Sequence, residues 1–198
     1  RTNALPLNQN SEVLTMIEEV NEKDICECVN VIRVSFATVA DEFDFTAENA
    51  PKFTAFATTE ERLKWHLFGE HRRMFAFWDN GTIVGYYSLL LQSNNECELN
   101  NLSVIPAYRH RGIGEEFLKH AFKTAKELNC NKINISIVEE NNVLRKWYES
   151  FDFVHIGTQK FDFFPFTCGY MEKNLQEYVV LMSLQRRQED LYKKRFSR

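Results

Sequence analysis

The chain has 198 residues, a formal charge of −4, and 44% hydrophobic against 26% charged residues. That length suits one domain with a sizeable core, and the composition is that of an ordinary soluble globular protein. The acidic balance excludes the broad basic field of a nucleic-acid binder, and no window approaches the roughly 18 apolar residues of a membrane span.

Phe occurs 17 times, so an aromatic-rich core is expected. No signal-peptide pattern is present, and the first residue is Arg rather than Met, which reads as a trimmed start. Cys26, Cys28, Cys97, Cys130 and Cys168 are odd in number, scattered and free of any CxxC. They read as buried free thiols of a protein in a reducing cytoplasm rather than as a disulfide framework or a zinc site.

In chain order, Leu14 to Val20 reads as a short strand. Asp24 can cap a helix to about Val39, with Ile25, Cys28, Val29, Ile32 and Phe36 on one face. Residues 40–57 break that period and form a loop, and Thr58 with Glu61 has capping-box spacing for a second helix to about Phe68. Met74–Trp78 and Ile83–Leu91 are strands joined at Asn80-Gly81, a strong hairpin signal.

Cys97–Val104 is the next strand, and a helix runs from the glycine turn to about Leu128 with Phe117, Leu118, Ala121, Phe122, Ala125 and Leu128 as its buried stripe. Ile133–Val138 is a strand, Asn142–Ser150 a short helix, and Phe153–Phe161 and Glu177–Leu184 the last two strands, joined by an irregular aromatic loop. The order predicts an α+β domain on one mixed, mostly antiparallel sheet flanked by helices, spanning residues 1–184. A basic tail, 185–198, is expected to be a solvated helix.

The segment Val104-Ile105-Pro106-Ala107-Tyr108-Arg109-His110-Arg111-Gly112-Ile113-Gly114 leaves a strand, turns at proline and enters a helix through two glycines. Such a junction presents free backbone N–H groups and a positive helix end, and so attracts phosphate. By itself it fits any phosphate-bearing ligand.

The order of features resembles the GNAT superfamily of acetyl-CoA-dependent N-acetyltransferases. Its signature is Gln or Arg, two residues, Gly, one residue, then Gly or Ala; Arg109 to Gly114 fits it fully, after a strand ending in Val104 and Pro106. A later family block with Asn, Tyr-Glu and Gly-Phe at fixed spacing is matched by Asn141, Tyr148-Glu149 and Phe153, with Leu144 in place of Ala and Asp152 in place of Gly. Asp tolerates a left-handed turn better than most residues, so that turn can survive.

The resemblance implies the GNAT fold, acetyl-CoA as cosubstrate, no metal, and transfer of acetyl to a primary amine by direct attack in a ternary complex. Backbone groups at Leu102, Ser103 and Val104 would hold the pantetheine arm, and amides of Arg109, His110, Arg111, Gly112, Ile113, Gly114 and Glu115 would cradle the pyrophosphate. Tyr148 would be the general acid and Glu98 the candidate base. Asn141 would bond the cofactor or cap its own helix.

Period two places Glu98, Asn100 and Leu102 on one strand face, unless a bulge shifts the phase. The acceptor, a small molecule or a peptide, would lie near Glu42, Asp44 and Glu48 and the loop Phe161–Phe166. A homodimer is compatible with this reading, and nucleic-acid or membrane partners are not expected. A non-catalytic acyl-CoA-binding module and a phosphate-ligand module unrelated to CoA are the alternatives.

Overall fold

The computed structural model describes residues 15–175. Strand β1 (Thr15–Glu19) leads through a 3-10 turn, in which Asp24 accepts from the Asn21 amide at 2.9 Å, into helix α1 (Ile25–Glu42). α1 buries Ile25, Cys28, Val31 and Ile32, and it runs three residues beyond the expected Val39. The following loop is not wholly irregular: it contains a one-turn helix, α2 (Thr54–Ala57).

The next helix begins one residue later than its capping box suggested. Thr59, not Thr58, caps α3 (Glu60–Lys64) by accepting from the Arg62 amide, while Thr58 donates back to the Thr54 carbonyl. α3 relaxes into a π turn, Trp65–Gly69.

Strands β2 (Arg73–Asp79) and β3 (Thr82–Leu91) form the expected hairpin, with Asn80 (φ 50°) and Gly81 (φ 80°) both left-handed, as a two-residue hairpin loop requires. β4 (Glu96–Val104), α4 (Ile113–Glu127), β5 (Lys132–Val138), α5 (Asn142–Glu149) and β6 (Val154–Lys160) each start and end within a few residues of their predicted places. The next strand, β7 (Thr167–Asn174), overturns part of the reading: it lies where only an irregular aromatic loop was expected. The strand expected at Glu177–Leu184 and the tail 185–198 lie outside the described residues.

The seven strands form one sheet in the order β1-β2-β3-β4-β5-β7-β6. Every neighbouring pair is antiparallel except β4 and β5, which are parallel. α4 and α5 cover one face over an apolar cluster that includes Phe75, Tyr87, Leu99, Phe117, Ile135 and Tyr148. α1 and α3 cover the other over Ile32, Leu63, Met74 and Tyr86. At roughly 25 cal/mol per Å² of buried apolar surface, two such layers supply most of the drive to fold.

A third cluster lies at one end of the second face, where Phe45, Phe53 and Phe166 meet Val138. The aromatic-rich core expected from composition is thus split among three sites. Of the five cysteines, all free, Cys28, Cys97 and Cys130 are buried as expected, whereas Cys26 is exposed and Cys168 is partly so.

Candidate active site

β4 changes phase along its length. Tyr86 pairs with Ser103 and Ser88 with Asn100, so two residues of β4, Asn101 and Leu102, face the single Tyr87 of β3. This is a β-bulge, and Asn101 holds the left-handed conformation it needs (φ 54°). Before the bulge Cys97 and Leu99 pack toward α4; after it Leu102 and Val104 do. Unbroken period two would have placed Leu102 with Glu98 and Asn100, and the extra residue moves it to the opposite face.

β4 and β5 pair over only three rungs, Glu96 with Lys132, Cys97 with Ile133 and Glu98 with Asn134. Beyond Glu98 the strands part, and the opening between them connects the two faces of the sheet. Glu98 marks the closed end of that opening. The bulge and then the 3-10 turn Pro106–Tyr108 lie along its β4 side.

The glycine turn follows. Gly112 is left-handed (φ 85°) at the N-cap of α4, and His110 before it is left-handed too (φ 60°). A side chain at 112 would have open space but a strained backbone. At Gly114 the reason is different: a Cβ there would come within 3.2 Å of Trp147, so the bare glycine lets α5 press against the first turn of α4. The first-turn amides of α4 therefore face outward beside a positive helix end.

The side chains of the turn divide their work. Arg109 is turned inward: its Nε donates to the Val104 carbonyl at 3.1 Å and its Nη2 to the Ser35 carbonyl at 2.9 Å, tying β4 to α1. Two of its guanidinium nitrogens are thus engaged within the protein. Arg111 is exposed over the Tyr108 ring at 4.6 Å, and Glu115 pairs with Lys119 on the surface of α4. Ile113 is buried.

Asn141 caps α5, with its Oδ1 accepting from the Leu144 amide at 2.9 Å. The capping role weighed from sequence is therefore real, and the Nδ2 group is left for another acceptor among the described residues. Asp152, which stands where the family has glycine, is left-handed at φ 62°, so that turn is kept.

Tyr148 is 6% exposed, edge-on to Trp147 and Phe153, in the same cluster as Leu102, Val104 and Ile113. Its hydroxyl makes no hydrogen bond among the described residues. Burial raises its pKa well above that of a free phenol, so the proton is held at neutral pH.

Glu98 faces the α1 side. It accepts from Gln92 at 3.1 Å, and its pKa is raised, chiefly by burial and further by Glu70, with Arg72 and Gln92 opposing. Its surroundings were not legible in the sequence: Arg72 is bound to Glu70 at 2.6 Å, and buried His66 lies 3.8 Å from the same carboxylate. Tyr170 on β7 shares this face, near enough to feel the Glu98 charge. No periodicity or spacing marked these residues, because they come from three separate elements.

The structure thus places Tyr148, Leu102, Val104, Ile113 and the glycine turn together on one side of the opening. Glu98 and Asn100 lie on the other. The acidic residues Glu42, Asp44 and Glu48 are solvent-exposed, while Phe45 and Phe53 beside them are buried.

Comparison with known proteins agrees with this geometry. The chain is 24% identical over 141 residues to an uncharacterized N-acetyltransferase of Lactobacillus delbrueckii subsp. lactis, covering 68% of this chain and 81% of that protein. In fold it is similar to the PaiA N-acetyltransferase of Thermoplasma acidophilum, solved with coenzyme A, with a TM-score of 0.71, 19% identity, and coverage of 81% of this chain and 99% of that one. It is also similar to the ribosomal-protein-S18-alanine N-acetyltransferase of Escherichia coli, with a TM-score of 0.63, 16% identity, and coverage of 82% and 94%. The model of the acetyltransferase (GNAT) family matches residues 38–153, more than half of the chain, from α1 through the end of the Asn141–Phe153 block, and the chain belongs to that family.

Proposed function

We propose that the protein transfers an acetyl group from acetyl-CoA to a primary amine by direct attack in a ternary complex. The observation that carries this reading is the bulged strand β4, parted from β5 just beyond Glu98 and leading into the Gly112–Gly114 helix start. That arrangement offers an extended thioester a strand edge and its pyrophosphate a ring of amides. The coenzyme A in the similar Thermoplasma structure supports the same cosubstrate.

The backbone of Leu102, Ser103 and Val104 would align the pantetheine arm, and the amides from Arg109 to Glu115 would hold the pyrophosphate, with the Asn141 Nδ2 group as a further donor. Acetyl-CoA supplies an acyl group activated as a thioester. Glu98, directly or through water, takes a proton from the acceptor ammonium, and its burial-raised affinity for protons suits a base once it is ionised. As the new C–N bond forms and the C–S bond breaks, the Tyr148 hydroxyl gives its proton to the departing sulfur. A buried phenol that stays protonated at neutral pH is suited to that role.

The test is acetyl-CoA consumption against a library of amines and peptides. Turnover with at least one amine that collapses in Tyr148→Phe supports the reading. Tight CoA binding without turnover on any amine would instead make the protein a non-catalytic acyl-CoA module.

A further inference from the structure

On the side of the sheet facing α1, the walls of the opening do not stay apart. The loop after α1 and the loop between β6 and β7 meet over the end of β5. Phe166 lies 4.9 Å from Phe45 and 5.8 Å from Phe53, and all three rings are buried against Val138. Phe164 stacks behind Phe166 at 4.5 Å. Offset and edge-on rings at these separations form a fixed contact, so this aromatic brace shuts one end of the face.

Below the brace the sheet floor is polar. It consists of Glu98, Asn100, Asn134, Ser136, Tyr170 and Glu172, joined by the rungs Glu98–Asn134, Asn134–Glu172 and Ser136–Tyr170. Ser136 is exposed in the middle of a central strand, which marks the floor as open to solvent. The opposite end is closed by Lys132, which bridges Glu172 at 2.9 Å and Glu96 at 3.6 Å. A basin closed at both ends admits a molecule end-on and gives a continuous peptide no path through.

The charge of the basin is also unbalanced. Lys132 meets two carboxylates and Arg72 pairs with Glu70, so four carboxylates, Glu70, Glu96, Glu98 and Glu172, outnumber two cations. Glu98 is hydrogen-bonded to the neutral Gln92, with Arg72 acting on it only from a distance. Beside Asn100 on the same face, the fully buried Ser88 and Tyr86 hydroxyls lie within reach of each other. Exposed Asp41, Glu42, Asp44 and Glu48 near the brace add to a field that draws cations.

Resting on the acetyltransferase reading above, we infer that the acceptor is a compact amine carrying a second positive charge, held end-on in this basin, and that it is not a peptide segment. The amine to be acetylated reaches Glu98 at the opening, and Glu172 faces the remaining cation.

Three probes test this with acetyl-CoA: putrescine, γ-aminobutyrate, which has a carboxylate in place of one amine, and an unblocked peptide carrying one lysine. Putrescine is expected to exceed each of the others in kcat/KM by about tenfold or more. Glu172→Gln should cut the preference for putrescine over γ-aminobutyrate by about fivefold, with the KM for acetyl-CoA unchanged. Phe166→Ala should raise peptide turnover relative to putrescine, and Phe166→Leu provides the same readout if the alanine variant fails to fold. Wild-type preference for the peptide or for γ-aminobutyrate, or an unchanged preference in Glu172→Gln, overturns the inference while leaving the acetyltransferase reading intact. If no probe is turned over, melting of the CoA-saturated protein decides: a rise with putrescine but not γ-aminobutyrate supports the basin and sinks the catalytic reading, and no rise with putrescine overturns both.

Discussion

The two faces of the sheet at the β4–β5 opening recognise in different ways. On the α4 side nearly everything is backbone and packing: a bulge, a left-handed glycine, a helix start, and Tyr148 set among apolar rings. On the α1 side it is polar side chains, from β3, the π turn, β4, β5 and β7, held in place by a brace of aromatic residues. A constant cosubstrate suits the first kind of site, because amides and helix ends bind without ordering long side chains. A variable acceptor suits the second, where one substitution retunes charge without disturbing the fold.

The largest effect that would sharpen this contrast is on the α4 side. Tyr148→Phe should lower kcat by about 10²–10⁴-fold with the KM for acetyl-CoA nearly unchanged, measured by steady-state thiol release. Equal turnover would remove Tyr148 from the chemistry. On the α1 side the next largest effect concerns stability. Phe53 is 5% exposed and touches Phe36, Phe45, Phe56 and Phe166, so Phe53→Ala should cost about 3–4 kcal/mol in urea unfolding. A cost near 1 kcal/mol would mean that the brace does not hold the two loops together.

Glu98 links the faces, and Glu98→Gln separates its roles. The rate with a good acceptor should fall by roughly 10–100-fold, and the acid limb of the pH profile should flatten. Burial raises the Glu98 pKa above the ordinary 4.5, so the folded protein binds that proton more tightly than the unfolded chain. The stability this contributes is complete below pH 4.5 and is lost as pH rises through the raised value. Glu98→Gln should accordingly melt above the wild type at pH 8, with the gap closing toward pH 4.

His66 runs the other way. Its pKa falls from 6.5 to about 4, chiefly through burial, then through Arg72. Stability is complete above pH 6.5 and is lost as pH falls toward 4, so His66→Asn should flatten the melting profile across that window. The smallest effect belongs to Arg111, exposed over Tyr108. Arg111→Ala should change the KM for acetyl-CoA by about twofold, since amides rather than this cation make the cradle.

What could be read from the sequence follows the same division. Helix stripes, the Asn80-Gly81 hairpin and the turn from Arg109 to Gly114 are local patterns, each carried by residues close in the chain. The fold and the elements around the glycine turn could therefore be anticipated with nearly correct boundaries. β7 was missed because its first residues adjoin the phenylalanine-rich loop and because residues on its two faces, such as Met171 and Glu172, give no clean run. The acceptor basin was missed for a deeper reason: Arg72, Glu98, Ser136 and Tyr170 come together only through sheet order, which pairs β5 with β7 and leaves β6 at the edge. The acids after α1 and the loop Phe161–Phe166 are both expected beside the acceptor; the structure keeps Glu42, Asp44 and Glu48 on the solvated surface and packs Phe166 against Phe45 at the end of the face.

The bulge in β4 has a genetic consequence. Leu102, Ser103 and Val104 owe their facing to one surplus position. With all residues kept, an unbulged pairing would turn Leu102 and Val104 toward the acceptor and drive Ser103 into the apolar cluster, whereas deleting the codon for Asn101 removes the surplus residue and leaves all three facing as they do. That deletion costs the strand its bulge and not its parity. Substitution at 101 is a milder matter, with Gly suiting the left-handed backbone and Val strained by it.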